Sequence, residues 1–219
     1  MFGTSAKFLP WMLVVLPWTP VARAQAVIEG NVTLPPPRME SAAPPRYPGA
    51  PPAAAVSVQQ TAVVFLEGQF PAVTNPPPVK QMAQKDAQFI PNILPVQTGT
   101  MVEFPNQDDF YHNVFSYSKL KSFDLGRYKK DEKPAAVTFD KPGVVRLNCE
   151  IHPQMRGIIV VLDTPYFTTT ATNGNFRLPI ENLPAGKYML KAWLDEKHVR
   201  EQPVELHDGD KLRVDFPGN

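Results

Sequence analysis

Apolar and polar positions alternate with a period of two along most of the chain and hardly anywhere with the period of a helix. Residues 26–34 (AVIEGNVTL), 61–67 (TAVVFLE), 100–104, 112–116, 135–139, 143–148 and 157–162 read as strands, rich in β-branched and aromatic side chains. The same style continues through 167–172, 176–180, 188–194, 203–206 and 211–216. Asn173-Gly174-Asn175, Pro184-Ala185-Gly186 and Asp208-Gly209-Asp210 supply turns between these later segments. Residues 89–96 contain Pro91 and Pro95, which confines them to an edge or irregular strand, and 123–128 is ambiguous. The best helical candidate is a short one, 79–87. The expected fold class is all-β, with strands spaced as in a sandwich.

Composition adds boundaries to this picture. Proline accounts for 26 of 219 residues, about twice the usual share of roughly 5%. The excess is clustered in 35–55, an extended Pro/Ala-rich loop, and in 71–78, a second breaker. The first 24 residues have the form of an export signal: Lys7, an apolar run over 8–18, and Ala22-Arg23-Ala24 as a small-x-small cleavage site before Gln25. A retained anchor is the alternative, but the run falls short of the ~20 apolar residues that span a bilayer. Once the signal is removed, no integral membrane segment is expected.

Loss of that segment takes away Lys7 and Arg23 and no acid, leaving a chain close to neutral. Such a balance offers no basic face for nucleic acid or for an anionic membrane. The cysteine count is more informative. With a single Cys, the chain cannot form an internal disulfide, and a free thiol outside the cytoplasm is an oxidation hazard. A metal is the first candidate to account for Cys149.

Residues 149–155 read Cys-Glu-Ile-His-Pro-Gln-Met, a C-x2-H-x2-M cluster, and well upstream His112 opens the segment His-Asn-Val-Phe-Ser. Taken singly, Cys149 reads as a small buried hydrophobe, Met155 as core and His152 as a turn residue. Taken together they match the demands of type 1 copper: two imidazoles and a thiolate in a near-trigonal plane, with a weak axial thioether. The expectation is one copper per chain, held by His112, Cys149, His152 and Met155. His198 (EKHVRE) and His207 (ELHDGD) sit among charges and read as solvated surface residues, with a secondary metal site as the alternative.

The cluster and His112 resemble the cupredoxin family, its plastocyanin- and amicyanin-like members above all. The resemblance covers about 84–161, including VQTGTMVEFPNQDDFYHNVFS and FDKPGVVRLNCEIHPQM, and is similar to the proteins associated with methylamine utilisation. It implies a Greek-key sandwich with the ligand loops at one end, a periplasmic location, and one-electron transfer with a dehydrogenase or a cytochrome c-like protein as redox partner. It further implies that Asn113 ties the two ligand loops together, and that His152 presents its ring edge to solvent near Pro153 and Phe110. Leu147 and Glu150 depart from the family, which often has an aromatic and a small hydroxyl residue there.

The flanks resemble carboxypeptidase regulatory-like, transthyretin-like sandwiches, through Gly30-x-Val32, the AVVFL strand, the TTT-x3-G-x-F-x-L run and the PAG-x-Y-x-L-x-AW run. The expected organisation is a split sandwich, 27–72 with 164–216, into which a cupredoxin over 79–163 is inserted. The alternative has the N-terminal strand joining the cupredoxin and the C-terminal half packing alone. Functionally, the leading expectation is a non-enzymatic exported electron carrier, and the alternative a copper delivery or storage protein. Enzymes of the multicopper oxidase or copper nitrite reductase type draw on many additional histidines, often as His-x-His pairs, whereas this chain has four histidines and no such pair. An adhesive or docking role for the flanking sandwich is compatible with either.

Overall fold

The computed structural model describes residues 23–40, 56–58, 60–68, 70, 77–132 and 134–218. The expected export signal up to residue 22, most of the first Pro-rich loop and residues 71–76 of the second breaker lie outside the described residues. The chain opens with β1 (Arg23–Asn31), β2 (Arg38–Glu40), β3 (Val56–Val58) and β4 (Val63–Glu67). A central series follows: β5 (Lys80–Gln81), β6 (Ala83–Lys85), β7 (Gln88–Ile90), β8 (Ile93–Gln97), β9 (Thr100–Glu103), β10 (His112–Ser118) and β11 (Lys121–Tyr128). It continues with β12 (Val137–Phe139), β13 (Gly143–Asn148) and β14 (Arg156–Leu162). The last strands are β15 (Phe167–Thr169), β16 (Asn175–Pro184), β17 (Gly186–Asp195), β18 (His198–Leu206) and β19 (Lys211–Arg213). Among the described residues there is no helix, and the fold is all-β.

Strands from the two ends of the chain pair with each other. β1 lies between β16, antiparallel to it, and β19, parallel to it, and takes no partner from the central series. A second sheet, β15-β4-β17-β18, packs against this one. Their inner faces meet in a core of Ile28, Val32, Val64, Leu66, Leu178 and Leu190, with Phe176 and Phe216 filling one region. The ladder of β1 starts at Arg23, two residues before the expected cleavage point, but a register break between Ala24 and Ala26 separates those residues from the regular pairing.

The central series makes its own sandwich. The sheet β11-β10-β13-β14-β8 faces β12-β9-β5 and the β6-β7 hairpin across a core that includes Phe89, Phe104, Phe139, Val145 and Ile159. β8 occupies an edge, as Pro95 requires, and pairs in parallel with β14. The 79–87 segment is not helical but divided between β5, β6 and a turn. Met82 and Gln84 are fully buried while Gln81 and Lys85 are exposed. That is the period of a strand, and it outweighs helix propensity once Gln84 can bond to Phe104 and Tyr128.

Two strands with unbroken apolar runs show where the sandwiches touch. In β14, Ile159 and Val161 point into the central core, whereas Val160 and Leu162 point the other way. In β4, Val64 and Leu66 belong to the outer core and Val63 to the same shared cluster as Val160. Trp193 and Ile93 complete that cluster. An alternating strand needs only one buried face, so an apolar run on both faces marks a strand packed on both sides.

Gly30 on β1 is held by close backbone approach. A Cβ there would stand 1.7 Å from the carbonyl oxygen of Val214. Gly30→Val is expected to destabilise the protein by about 3 kcal/mol or more, the upper range for overpacked cores. Equilibrium urea unfolding checks this, and a change below about 1 kcal/mol would show that the terminal sheet yields at this point.

Candidate metal centre

Asn106, only 5% exposed, organises the loop that leads into the site. Its Nδ2 donates to the carbonyls of Phe110 and Tyr128, and its Oδ1 accepts from the amide of Asp108. Backbone bonds from Gln84 to Pro105 and from Gln107 to Gln84 stitch the same loop to β6. The loop therefore delivers Asp108, Phe110 and His112 in fixed positions, with His112 as the first residue of β10.

The other side of the site comes from the connection between β13 and β14. Cys149 follows β13 directly, the amide of Met155 donates to the carbonyl of His152 at 2.8 Å, and Arg156 starts β14. Asn113 joins the two sides: its Oδ1 accepts from the amide of Glu150 at 2.8 Å. Glu150 in turn pairs with Arg127 at 2.5 Å, while Leu147 is core.

The structure brings His112, Cys149 and His152 together. The two Nδ1 atoms are 3.1 Å apart, and Cys149 Sγ lies 3.9 Å from His112 Nδ1 and 3.8 Å from His152 Nδ1. These three residues are the one group of three or more His, Cys, Asp or Glu among the described residues able to hold a metal ion. These separations suit an ion held at about 2.0 Å from nitrogen and about 2.3 Å from thiolate sulfur, so His112, Cys149 and His152 would hold one. Met155 is 1% exposed in the core that also holds Cys149.

His112 is fully buried, and its Nε2 lies 2.7 Å from the Asp108 carboxylate. Burial opposes the charge on Asp108, but the amides of Ala87 and Asp86 together with His112 outweigh it and hold the carboxyl below its usual value. Burial pushes His112 down despite Asp108, and burial with His112 as neighbour pushes His152 down to about 4. Burial raises the Cys149 thiol, partly offset by the amides of Asn113, His152 and Ile151. In the metal-free protein at neutral pH the cluster is therefore two neutral imidazoles and a thiol. A carboxylate only accepts, so the contact with Asp108 calls for a proton on His112 Nε2.

Sequence reasoning named the three residues that the structure brings together but missed their surroundings. The resemblance implied a solvent-facing edge for His152, yet His152 is 3% exposed and its Nε2 is buried with no hydrogen-bond partner. Phe110 stands edge-on to both imidazoles, with centroids 4.9 Å from His112 and 5.5 Å from His152. Asp108 was not singled out, although an acid four residues before a candidate ligand His is a signal that could have found it. Nothing local marks Gln84 or Tyr128, whose bond is made by the fold. His198 and His207 lie apart from the site, exposed and paired with Asp195 and with Asp210 and Glu205.

No protein-family model and no curated protein matches the chain. Among solved structures it is similar to the copper-containing nitrite reductase NirK of Thermus scotoductus SA-01, at 29% identity and a TM-score of 0.38 over 44% of this chain. It spans only 26% of that enzyme's length. It is also similar to a purple cupredoxin of Nitrosopumilus maritimus, at 21% identity and a TM-score of 0.35, covering 38% of this chain and 99% of that one. A mutant of amicyanin in the reduced state matches at 26% identity and a TM-score of 0.35, covering 38% and 82% of the two chains.

The depressed histidines give the metal-free protein a specific acid response. The unfolded chain takes up protons near pH 6.5 while folded His152 holds out until about 4, so stability is complete above the first value and falls as pH drops toward the second. His152 alone accounts for a loss on the order of 3 kcal/mol, and His112 adds to it with the same sign. Urea unfolding of metal-free protein should show the decline already between pH 6.5 and 5, ahead of most carboxylates. A profile that is flat there would mean the imidazoles are charged or solvated.

Proposed function

We propose that the chain is an exported, non-enzymatic one-electron carrier with a single type 1 copper site held by His112, Cys149, His152 and Met155. The supporting observation is the convergence of two imidazole nitrogens and one thiol sulfur, all buried and already at metal-binding separations. Copper, when bound, supplies a one-electron couple. The imidazoles serve both of its oxidation states, the Cys149 thiolate contributes a strong covalent donor, and the soft thioether of Met155 favours the reduced form.

The protein's part is to fix these donors and keep water away. Asp108 and Asn106 hold His112, while the Met155–His152 turn and Asn113 hold the second loop. With both sides braced, the donors keep the same places in either oxidation state, which keeps reorganisation small. Cys149 gives up its proton when the metal enters, so loading is favoured by rising pH. Phe110, lying against both imidazoles, is the cover through which an electron passes to a redox protein such as a dehydrogenase or cytochrome c-like partner in the periplasm. A delivery protein needs donors that a chaperone can reach; exposures of 0% for His112 and 3% for both Cys149 and His152 favour a carrier.

The domain organisation belongs to the same reading: a metal domain over 79–163 inserted into a split outer sandwich, 27–72 and 164–216. The pairing of β1 with β16 and β19 supports it.

Stoichiometric Cu(II) added to the mature protein should give an intense thiolate-to-copper absorption band and narrow copper hyperfine splitting in EPR. Both should vanish in Cys149→Ser, and voltammetry of the native protein should be fast and reversible. A colourless protein would reject the type 1 site. A coloured protein that surrenders copper readily and shows no reversible couple would favour delivery.

A further inference from the structure

β6 and β7 are joined by Asp86 and Ala87, and both residues have φ of 54°. This left-handed region is unfavourable for residues other than glycine and is costlier for Ala than for Asp. Two successive residues in such a turn direct their amides to one side, a concavity suited to an anion. Here the anion is a side chain of the chain itself. Asp86 donates to Asp108 Oδ1 at 2.8 Å and Ala87 donates to Oδ2 at 3.0 Å. The same Oδ2 accepts from His112 Nε2 at 2.7 Å, and the Asp108 side chain is only 8% exposed. One buried carboxylate thus closes a strained turn and grips a ligand imidazole.

We propose that Asp108 is the positioning residue of the metal centre, seated by the Asp86–Ala87 turn so that it fixes His112 in the Nε2–H tautomer with Nδ1 aimed at Cys149 and His152. This rests on the copper reading for its consequences at the metal, but not for the tautomer. A neutral acceptor cannot replace the anion, because a carboxylate on the far side of an imidazole strengthens the donor nitrogen. Stronger donation stabilises the oxidised ion more than the reduced one. The turn, distant in sequence from every ligand, therefore helps set the reduction potential.

The test compares native protein with Asp108→Asn and Asp108→Glu. In metal-free native protein, long-range 1H–15N NMR should find His112 as the Nε2–H tautomer. Asp108→Asn should introduce the Nδ1–H form, and Asp108→Glu, which keeps the anion, should restore the native tautomer at least in part. With Cu(II) as the probe, Asp108→Asn should lose roughly 10–100-fold in affinity. Its reduction potential should rise by about 59 mV for each tenfold loss not shared by Cu(I). A native His112 protonated on Nδ1, or an Asn variant with unchanged tautomer and Cu(II) affinity, overturns the proposal. The native measurement decides the matter even if the Asn variant does not fold. Failure of native protein to bind copper would instead strike the functional reading, while the tautomer still decides the role of Asp108.

Discussion

A fully buried imidazole must satisfy two nitrogens without water, and the central sandwich is organised around how His112 does so. One nitrogen goes to Asp108. That bond obliges the chain to bury a carboxylate, which is tolerable only because two amides of the β6-β7 turn also point at it. The turn must itself sit against the loop before β10, and Gln84 and Asn106 hold it there. The other nitrogen of His112 is left facing His152 and Cys149. A chain of polar obligations thus runs from a hairpin to the donor cluster, and each link would be costly without the next.

The strands were legible because the structure buries what alternation predicts. β16 carries Phe176, Leu178 and Ile180 inward while Arg177, Pro179 and Glu181 stay outside. The cluster of His112, Cys149 and His152 was legible because two of its members are neighbours in sequence and the thiol is alone of its kind. What escaped has a common cause: it is made by contacts between segments. Gln84 and Tyr128 become a pair only when β6 and β11 are placed, and the burial of His152 depends on what packs over the ligand loop. The 79–87 stretch misled because Val79 is its one β-branched residue, and its two-residue period becomes plain only once Met82 and Gln84 are seen to be covered.

The unbroken apolar runs in β4 and β14 carried more than strand identity. Their second faces build the cluster of Val63, Ile93, Val160, Leu162 and Trp193 that lies between the two sandwiches. Arg146 on β13 and Glu196, just beyond β17, add an ion pair across the same boundary. Such an exposed pair contributes little stability, but it favours one orientation over others that the apolar surface alone would permit.

The way the chain crosses this boundary has a mechanical consequence. It leaves the outer sheets after β4, returns to them at β15, and β15 pairs directly with β4. A body joined by one strand can swivel about it, whereas one joined by two neighbouring strands and backed by an apolar contact keeps its heading. The donor cluster is therefore tied to the outer sandwich through the adjacent strands β4 and β15 and an apolar contact. A torque on the outer sheets would reach His112 and His152 through β4, β15 and that apolar contact together.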